Sequence, residues 1–216
     1  MPTEDQIARE VLHLDHYGMI VSGLVAMHPV DLGRHVEAQD IMDDLTVAFE
    51  EEGWELSGSG YFSAVFVKEG MALKVGFKPT DTGAMYAAWC RANQGKPGVP
   101  TVYALSKFEG CYVVLTRAYR SVETDLEYGG DRSKHYLEFN AIRQSIKFGH
   151  KRILEAPFAT ADTALEIHEF FNGIVEWDMH EGNVMVDSDD RMVITDPMSY
   201  GPCSSNLGVH YYTYES

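Results

Sequence analysis

The stretch WDMHEGNVMVDSDDRMVITDP, residues 177–197, decides how the chain is interpreted. A polar cluster of Asp178, His180 and Asn183 is followed at once by two apolar runs that alternate as strands do, and the second run ends in Asp196. A plain β-hairpin with polar ends would explain the alternation. It would not need three such side chains so close together. The pattern therefore favours a site that places a base and holds metal ions.

Length, composition and charge limit the class of protein. The chain has 216 residues, 45% of them hydrophobic, which is enough for a substantial core. A net charge of −16 argues against a general affinity for nucleic acid or anionic membranes and favours a basic partner. Three widely spaced cysteines indicate neither a disulfide framework nor a zinc site. We expect a protein of a reducing cytosol that has neither a membrane nor a direct nucleic-acid partner.

The first quarter of the chain has the pattern of helices. Ile7, Val11 and Leu14 recur at helical spacing after a capping-box sequence. Between residues 31 and 55, nine acidic residues stand against one arginine. This charge is either a solvated helix face or a docking surface for a basic partner. We predict an acidic helical N-terminal extension over residues 1–53.

From Trp54 onward the pattern changes to short strands. The runs YFSAVFV, MALKVGF, TVYALS and CYVVLTRAY are separated by turn residues, which is typical of an antiparallel sheet. One helix, predicted over Thr82–Asn93, interrupts these strands. A later helix has an apolar face from Leu165 to Val175 and leads into the polar cluster.

Two features of the predicted sheet suggest phosphate chemistry. Gly58, Ser59 and Gly60 lie between strand-like segments, a context that disfavours a dinucleotide fold. Glycines there let the backbone approach a triphosphate and present N–H groups to its oxygens, although two glycines also suit an ordinary turn. Lys74 lies within the apolar run MALKVGF. An ammonium in a half-buried strand needs an anionic partner, unless the side chain points to solvent.

The spacing within the polar cluster resembles that of the protein-kinase catalytic apparatus. Asn183 follows Asp178 by five residues, and Asp196 follows Asn183 by thirteen. In protein kinases a loop Asp meets the acceptor hydroxyl, while an Asn and a second Asp hold magnesium on the phosphates. The glycines and Lys74 lie upstream in the order that this apparatus requires. The order favours a catalytic site over a plain hairpin.

The resemblance extends to one family. Segments scattered from about Leu56 to Ser199 resemble the early serine/threonine protein kinase of short-tailed (podovirus, Autographiviridae-type) bacteriophages, which shuts off host transcription. The segments are GYFSAVF, LKVGFKPTDTGAMYAAWCR, QGKPGVPTVY, GCYVVL, FFNGI, DMHEGN and ITDPMS. The resemblance implies an early kinase in the host bacterial cytoplasm. Its substrates would be bacterial proteins, including RNA polymerase and RNA-processing enzymes.

The resemblance also implies roles for individual residues. Gly58, Ser59 and Gly60 would cover the phosphates of ATP, and Lys74 would contact the α and β phosphates. Ser63 replaces the third loop glycine of protein kinases.

The polar cluster would carry the rest of the chemistry. Asp178 would be the catalytic base or would orient the hydroxyl, with Asn183 and Asp196 as Mg²⁺ ligands. His180 falls where protein kinases usually carry a Lys that neutralises the γ-phosphate. A histidine there also occurs in small-molecule phosphotransferases, so an aminoglycoside-like phosphotransferase is an alternative.

Several departures from the protein-kinase pattern bear on the site. The helix predicted over Thr82–Asn93 has no Glu to pair with Lys74. Asp81 is an alternative partner, although its position also suits a helix N-cap. Pro197 follows Asp196 in place of the usual Phe-Gly, which argues against a flipping activation motif. Only 20 residues follow Asp196, so a C-lobe would be minimal or the chain a shortened form of a longer one.

We predict an α+β, compact bilobal kinase-like fold. An antiparallel N-lobe would cover residues 54–119, and a reduced helical C-lobe with the catalytic hairpin would cover residues 120–216. The predicted activity is a serine/threonine kinase that also phosphorylates its own tail. The non-enzyme alternative is a pseudokinase that shuts off host function by binding through its acidic helices.

Overall fold

The protein is α+β, as the sequence predicts. The computed structural model describes residues 1–28, 36–78, 81–108, 110–122, 134–149 and 158–199, with the backbone alone for residues 36–39. Within these ranges there are six α-helices, an antiparallel five-stranded sheet and a small three-stranded sheet. None of the helices in these ranges has the length and apolar character needed to cross a bilayer.

The predicted helices and strands occur in the expected order, and the structure adds a strand over Arg120–Ser121 and a helix over Lys134–Phe148 that the sequence pattern did not predict. The helices are α1 (Glu4–Leu12), α2 (Leu14–Met27), α3 (Val36–Glu51), α4 (Gly83–Ala92), α5 (Lys134–Phe148) and α6 (Ala159–Phe171). The strands are β1 (Glu55–Ser59), β2 (Ser63–Lys68), β3 (Met71–Gly76), β4 (Val102–Phe108), β5 (Cys111–Arg117), β6 (Arg120–Ser121), β7 (Val184–Val186) and β8 (Met192–Ile194).

The five-stranded sheet separates two hydrophobic cores. Its strand order is β1-β2-β3-β5-β4, with every neighbouring pair antiparallel. Along β5, Cys111, Val113 and Leu115 face one core, while Tyr112 and Val114 face the other. Because successive side chains of a strand point to opposite faces, a run that is apolar throughout indicates burial on both sides. β5 is therefore covered on both faces, whereas β1 at the edge of the sheet is exposed.

The N-terminal helices cover one face of this sheet. Ile41, Leu45 and Phe49 of α3 are spaced four residues apart and are fully buried, and the Phe49 ring stacks on Phe66 of β2 at 4.7 Å. The acidic side chains of α3 from Asp40 to Glu51 are exposed. The segment predicted as an extension thus shares a hydrophobic core with the sheet. The domain boundary predicted after residue 53 stays a prediction.

A buried carboxylate fastens α1 to the sheet. Glu10 is 1% exposed and accepts hydrogen bonds from Tyr17 and Arg9, and Lys68 Nζ lies 3.1 Å from its Oε1. Burial alone would raise the pKa of Glu10, but the bonds from Tyr17, Lys68 and Arg9 bring it below its ordinary value. Val11, which the helical spacing placed on the apolar face, is 37% exposed. In this turn of α1, Glu10 is the buried residue in place of Val11, because three donors compensate its charge.

The opposite face of the sheet packs on the later helices. Tyr86 of α4, Val114 of β5, Ile142 of α5, Ile167 of α6 and Ile194 of β8 belong to one core cluster. The three-stranded sheet, in the order β6-β7-β8, carries the end of the quoted stretch into this core. The polar cluster is therefore brought next to the face of the large sheet that α1–α3 do not cover.

Helix α6 ends earlier than its apolar pattern suggested. It stops at Phe171, with Asn172 as C-cap, and Gly173 follows with φ of +79°. A left-handed glycine directly after a helix is a common termination signal. Val175 is buried and Ile174 is 48% exposed, but both lie beyond the helix. The prediction of a helical face reaching Val175 is wrong.

We expect Phe49→Ala to destabilise the protein by about 3–5 kcal/mol, since a fully buried aromatic ring leaves a cavity between α3 and the sheet. Val47→Ala on the same helix is the matched control, because Val47 is 59% exposed and its truncation should change stability by about 0.5 kcal/mol or less. Urea unfolding of both variants measures the difference. Equal effects would mean that α3 does not pack on the sheet as described.

Candidate active site

The polar cluster lies between the two ends of the quoted stretch. Trp177 forms an isolated antiparallel bridge with Met198, and the Asp178 N–H donates to the Pro197 carbonyl at 2.9 Å. Between them, β7 and β8 form the predicted hairpin, with Val184 paired to Ile194. Residues 177–178 and 197–198 are thus held side by side, although about twenty residues separate them in the chain.

Asn183 connects Asp178 to Asp196 through hydrogen bonds to their backbones. Its side chain is 8% exposed, and its Nδ2 donates to the Asp178 carbonyl at 2.6 Å. Its own carbonyl accepts from the N–H of Thr195 at 2.9 Å and of Asp196 at 3.3 Å. One residue therefore fixes the backbone at Asp178 and at Asp196. Because Nδ2 is used for the loop, Oδ1 is the end of the amide that a cation would meet.

Lys74 of β3 meets Asp196 across the site. Its Nζ donates to Asp196 Oδ2 at 2.6 Å, and the two side chains are 17% and 35% exposed. Burial lowers the pKa of Lys74, but the carboxylates of Asp196 and Asp81 outweigh it and place the pKa above its ordinary value. Lys74 is therefore charged at neutral pH. The direct partner of Lys74 is thus Asp196, the predicted metal ligand, and Asp81, the partner that the sequence offered, acts on Lys74 only electrostatically.

Helix α4 holds the segment around Asp196 from two sides. The Tyr86 hydroxyl donates to the Ile194 carbonyl at 2.7 Å, and the Thr82 hydroxyl donates to the Ser199 carbonyl. These acceptors lie two residues before and three residues after Asp196. The sequence analysis missed Thr82 and Tyr86. Neither residue type is diagnostic, and both contacts span more than a hundred residues.

Asp178 and His180 present their side chains to solvent. His180 is the N-cap of a short 3-10 turn, Glu181–Asn183, and its Nδ1 accepts the Gly182 N–H at 3.1 Å. An accepting Nδ1 carries no proton, so the neutral ring has its proton on Nε2. His180 thus combines a capping role with one outward N–H donor. Asp178 offers a carboxylate on a backbone that is fixed at both its N–H and its C=O.

The glycine segment forms the edge of the large sheet. Gly58 and Ser59 belong to β1, which is exposed along its whole length, and the Gly60 N–H donates to the Ser63 carbonyl at 2.8 Å. A Cβ added at Gly58 would meet no atom within 4 Å, and one at Gly60 would meet only the Ser63 carbonyl oxygen, at 3.9 Å. Packing within the described residues does not require either glycine. β1 is separated from Lys74 in β3 by strand β2.

The residues present fit a cation that shares its ligands with phosphates. Among the described residues, no group of three or more His, Cys, Asp or Glu side chains could hold a metal. Asp196 uses Oδ2 for Lys74 and Asn183 uses Nδ2 for Asp178, which leaves one hard oxygen on each side chain. Mg²⁺ prefers such oxygens and takes its other ligands from water and substrate phosphates.

An ammonium paired with an aspartate, an outward carboxylate and a carboxamide are also the kinds of group that protein kinases use in phosphoryl transfer. The sequence model of one family, Bacteriophage T7 protein kinase 0.7, matches residues 19–207. The chain belongs to this family of phage protein kinases. No curated protein matches it. Membership implies ATP as a substrate and proteins as acceptors.

We expect Asn183→Ala to lower stability by about 1–3 kcal/mol, because the Asp178 carbonyl would lose its donor inside the protein. Asn172→Ala is the control, since Asn172 is exposed at the end of α6. Thermal unfolding of the two variants is the measurement. If Asn183→Ala melts at the temperature of the control, the amide does not fix the loop.

Proposed function

We propose that the chain is a serine/threonine protein kinase of a bacteriophage. It would transfer the γ-phosphate of ATP to bacterial host proteins. The observation that carries the proposal is the Lys74–Asp196 contact at 2.6 Å, placed beside the Asn183–Asp178 hydrogen bond, in a chain of a phage protein kinase family. A plain hairpin would leave this pairing of a strand lysine with the end of the hairpin unexplained.

Asp178 is the residue that we assign to the acceptor. The acceptor hydroxyl oxygen forms a bond to the γ-phosphorus while the bond from that phosphorus to the β–γ bridging oxygen breaks, and ADP leaves with the bridging oxygen. The hydroxyl proton passes to the Asp178 carboxylate. The exposed side chain on an anchored backbone supports this role, because positioning supplies much of the rate in phosphoryl transfer.

The face of the sheet that carries Lys74 is the proposed nucleotide surface. Ala72 lies on the same face of β3, is partly exposed and offers an apolar patch for a base. Lys74 would contact the α and β phosphates. Gly58, Ser59 and Gly60 would cover the phosphates with backbone N–H groups, and the open space at Gly58 supports this.

Asn183 and Asp196 are the residues that would hold Mg²⁺. When bound, the ion would supply positive charge that neutralises the charge developing on the phosphates. The Asn183 backbone hydrogen bond to Asp196 keeps these two ligands on adjacent segments. Lys74 shares Asp196 with the proposed ion, which couples nucleotide and metal binding.

His180 is compatible with two classes of acceptor, a protein and a small molecule. Its outward Nε2–H would donate to a γ-phosphate oxygen during transfer, as the usual lysine would. The same residue supports the alternative of a small-molecule phosphotransferase of the aminoglycoside type. Family membership favours a protein acceptor.

The proposed acceptors are bacterial proteins of transcription and RNA processing, including RNA polymerase, and the proposed location is the host cytoplasm. The family resemblance supports this choice. Because the chain has a net charge of −16, it would attract acceptor proteins with basic surfaces at low ionic strength.

Asp196→Ala and Asn183→Ala should each abolish phosphoryl transfer, because the phosphates would lose a metal ligand in a site that works by electrostatic positioning. We expect Asp196→Ala to remain folded. The measurement is transfer of radiolabel from [γ-³²P]ATP to bacterial lysate proteins and, in parallel, to aminoglycosides.

Asp189→Ala is the matched control. Asp189 is a carboxylate of the same hairpin, 63% exposed and paired only with Arg191 among the interactions of the described residues, so its loss should leave transfer unchanged. Label on aminoglycosides alone would establish the small-molecule alternative. Wild-type protein that labels neither acceptor would favour the pseudokinase alternative, and equal labelling by Asp196→Ala would refute the assigned site.

We further expect the tail to be phosphorylated by the kinase itself. Its hydroxyl residues are tethered by the chain just after Asp196, which gives them a high local concentration at the site. Each phosphate adds roughly −1.5 to −2 charge, and in a chain of net charge −16 this should oppose ATP binding and lower activity. The candidates are Ser199, Ser204, Ser205, Thr213 and Ser216, of which all but Ser199 lie outside the described residues.

Intact-mass measurement after incubation with Mg-ATP detects the modification, and kinetics of the separated forms give its effect. The Asp196→Ala protein is the control, because it should gain no mass. A tail that stays unmodified in active wild-type protein, or a phosphorylated form that is faster, would contradict the expectation.

A further inference from the structure

Asp81, which the sequence offered as an alternative partner of Lys74, has no role in the proposed transfer so far, although it acts on Lys74 electrostatically. It immediately precedes Thr82, the N-cap of α4, and its Oδ1 accepts the Gly83 N–H at 2.7 Å. Its Oδ2 accepts the Tyr112 hydroxyl at 2.7 Å. Burial raises the pKa of Asp81 above its ordinary value, although Lys74, Gly83 and Tyr112 act in the opposite direction. Both oxygens thus accept hydrogen bonds from neutral donors, which favour the charged form of the carboxylate.

Tyr112 occupies a position that two glycines make possible. It pairs with Gly76 across β3 and β5, and a Cβ at Gly76 would lie 1.9 Å from its ring. A Cβ at Gly83 would lie 2.1 Å from its hydroxyl oxygen. No side chain fits at such distances unless Tyr112 moves. The strand and the helix therefore both leave room for the contact between Tyr112 and Asp81.

Lys74 is attracted by two carboxylates from different parts of the chain. Asp196 binds it directly at 2.6 Å, and Asp81 acts on it electrostatically. If Asp196 turns toward a cation, its charge is shared and its hold on Lys74 weakens. Asp81 is then the remaining carboxylate that keeps the ammonium in place. Helix α4 has no glutamate that could do so.

We propose that Asp81 is a positioning residue for phosphoryl transfer. It holds Lys74 at the nucleotide phosphates when Asp196 engages a metal ion, and Tyr112 fixes Asp81 in that position. This inference rests on the proposed function. The second carboxylate that acts on Lys74 would then be Asp81, which directly precedes the N-cap of α4. Its hydrogen bond from Tyr112 connects it to β5.

Asp81→Asn separates the charge from the capping bond, because asparagine can still accept the Gly83 N–H. We expect the maximal rate of lysate phosphorylation to fall by roughly 10- to 100-fold, as for a misplaced catalytic group, in a protein that remains folded. Asp81→Glu should recover part of the rate. Asp40→Asn, the loss of an exposed carboxylate on α3, is the control and should keep the wild-type rate.

Tyr112→Phe tests the same idea without removing charge. The ring and its packing stay, while the hydroxyl that fixes Asp81 is lost, so the rate should fall in the same direction but less than in Asp81→Asn. Active wild-type protein together with full activity of Asp81→Asn would overturn the inference and leave the proposed function standing. Inactive wild-type protein would refute the proposed function and this inference together.

A double-mutant cycle on thermal unfolding gives a readout that does not depend on activity. Lys74→Met and Asp81→Asn should shift the melting temperature non-additively, and the coupling should grow in an Asp196→Asn background, where Asp81 is the carboxylate left to Lys74. Additive shifts in both backgrounds would mean that Asp81 does not hold Lys74, and would overturn the inference.

Discussion

The contact between Lys74 and Asp196 is the interaction on which the arrangement of the site depends. It joins a strand of the large sheet to the end of a hairpin that lies 122 residues further along the chain. Leaving either charge without a partner in this half-buried place would be costly, so the strand and the hairpin must meet in one register. The pairing needs β3 to present Lys74 away from Leu73 and Val75, which face the core under α1–α3.

Packing on each face of the sheet supports that pairing. On the face that carries Lys74, the β7–β8 hairpin must have a fixed position. The core that contains Val114 and Ile194 fixes it. The opposite face carries the apolar residues Leu73 and Val75, which would be exposed without α1–α3. Phe49 and the compensated Glu10 fasten those helices to it. The acidic N-terminal segment therefore contributes to the core behind Lys74, whatever its outer surface binds.

The local parts of this structure could be predicted from the sequence, and the long-range parts could not. Alternation identified the strands, and the short spacing from Asp178 to Asn183 identified the polar loop, because neighbours in sequence carry those signals. The partner of Lys74 and the contacts of Tyr86 required the tertiary structure. Two of the errors have different causes: Glu10 is buried because donors of other elements compensate its charge, and Gly173 ends α6 within an apolar run.

Helix α4 shows how the site can be ordered without the glutamate that protein kinases usually carry. Thr82 and Tyr86 fix the backbone on both sides of Asp196, while Asp81 reaches the same site from the start of the helix. All three residues lie within six positions at the start of α4, so a shift of this helix would displace Asp196 and Lys74 together. Because Lys74 and Asp196 also attract each other directly, α4 needs only to restrict the position in which they form their contact. The position of α4 is thus set by the same contacts that set the site.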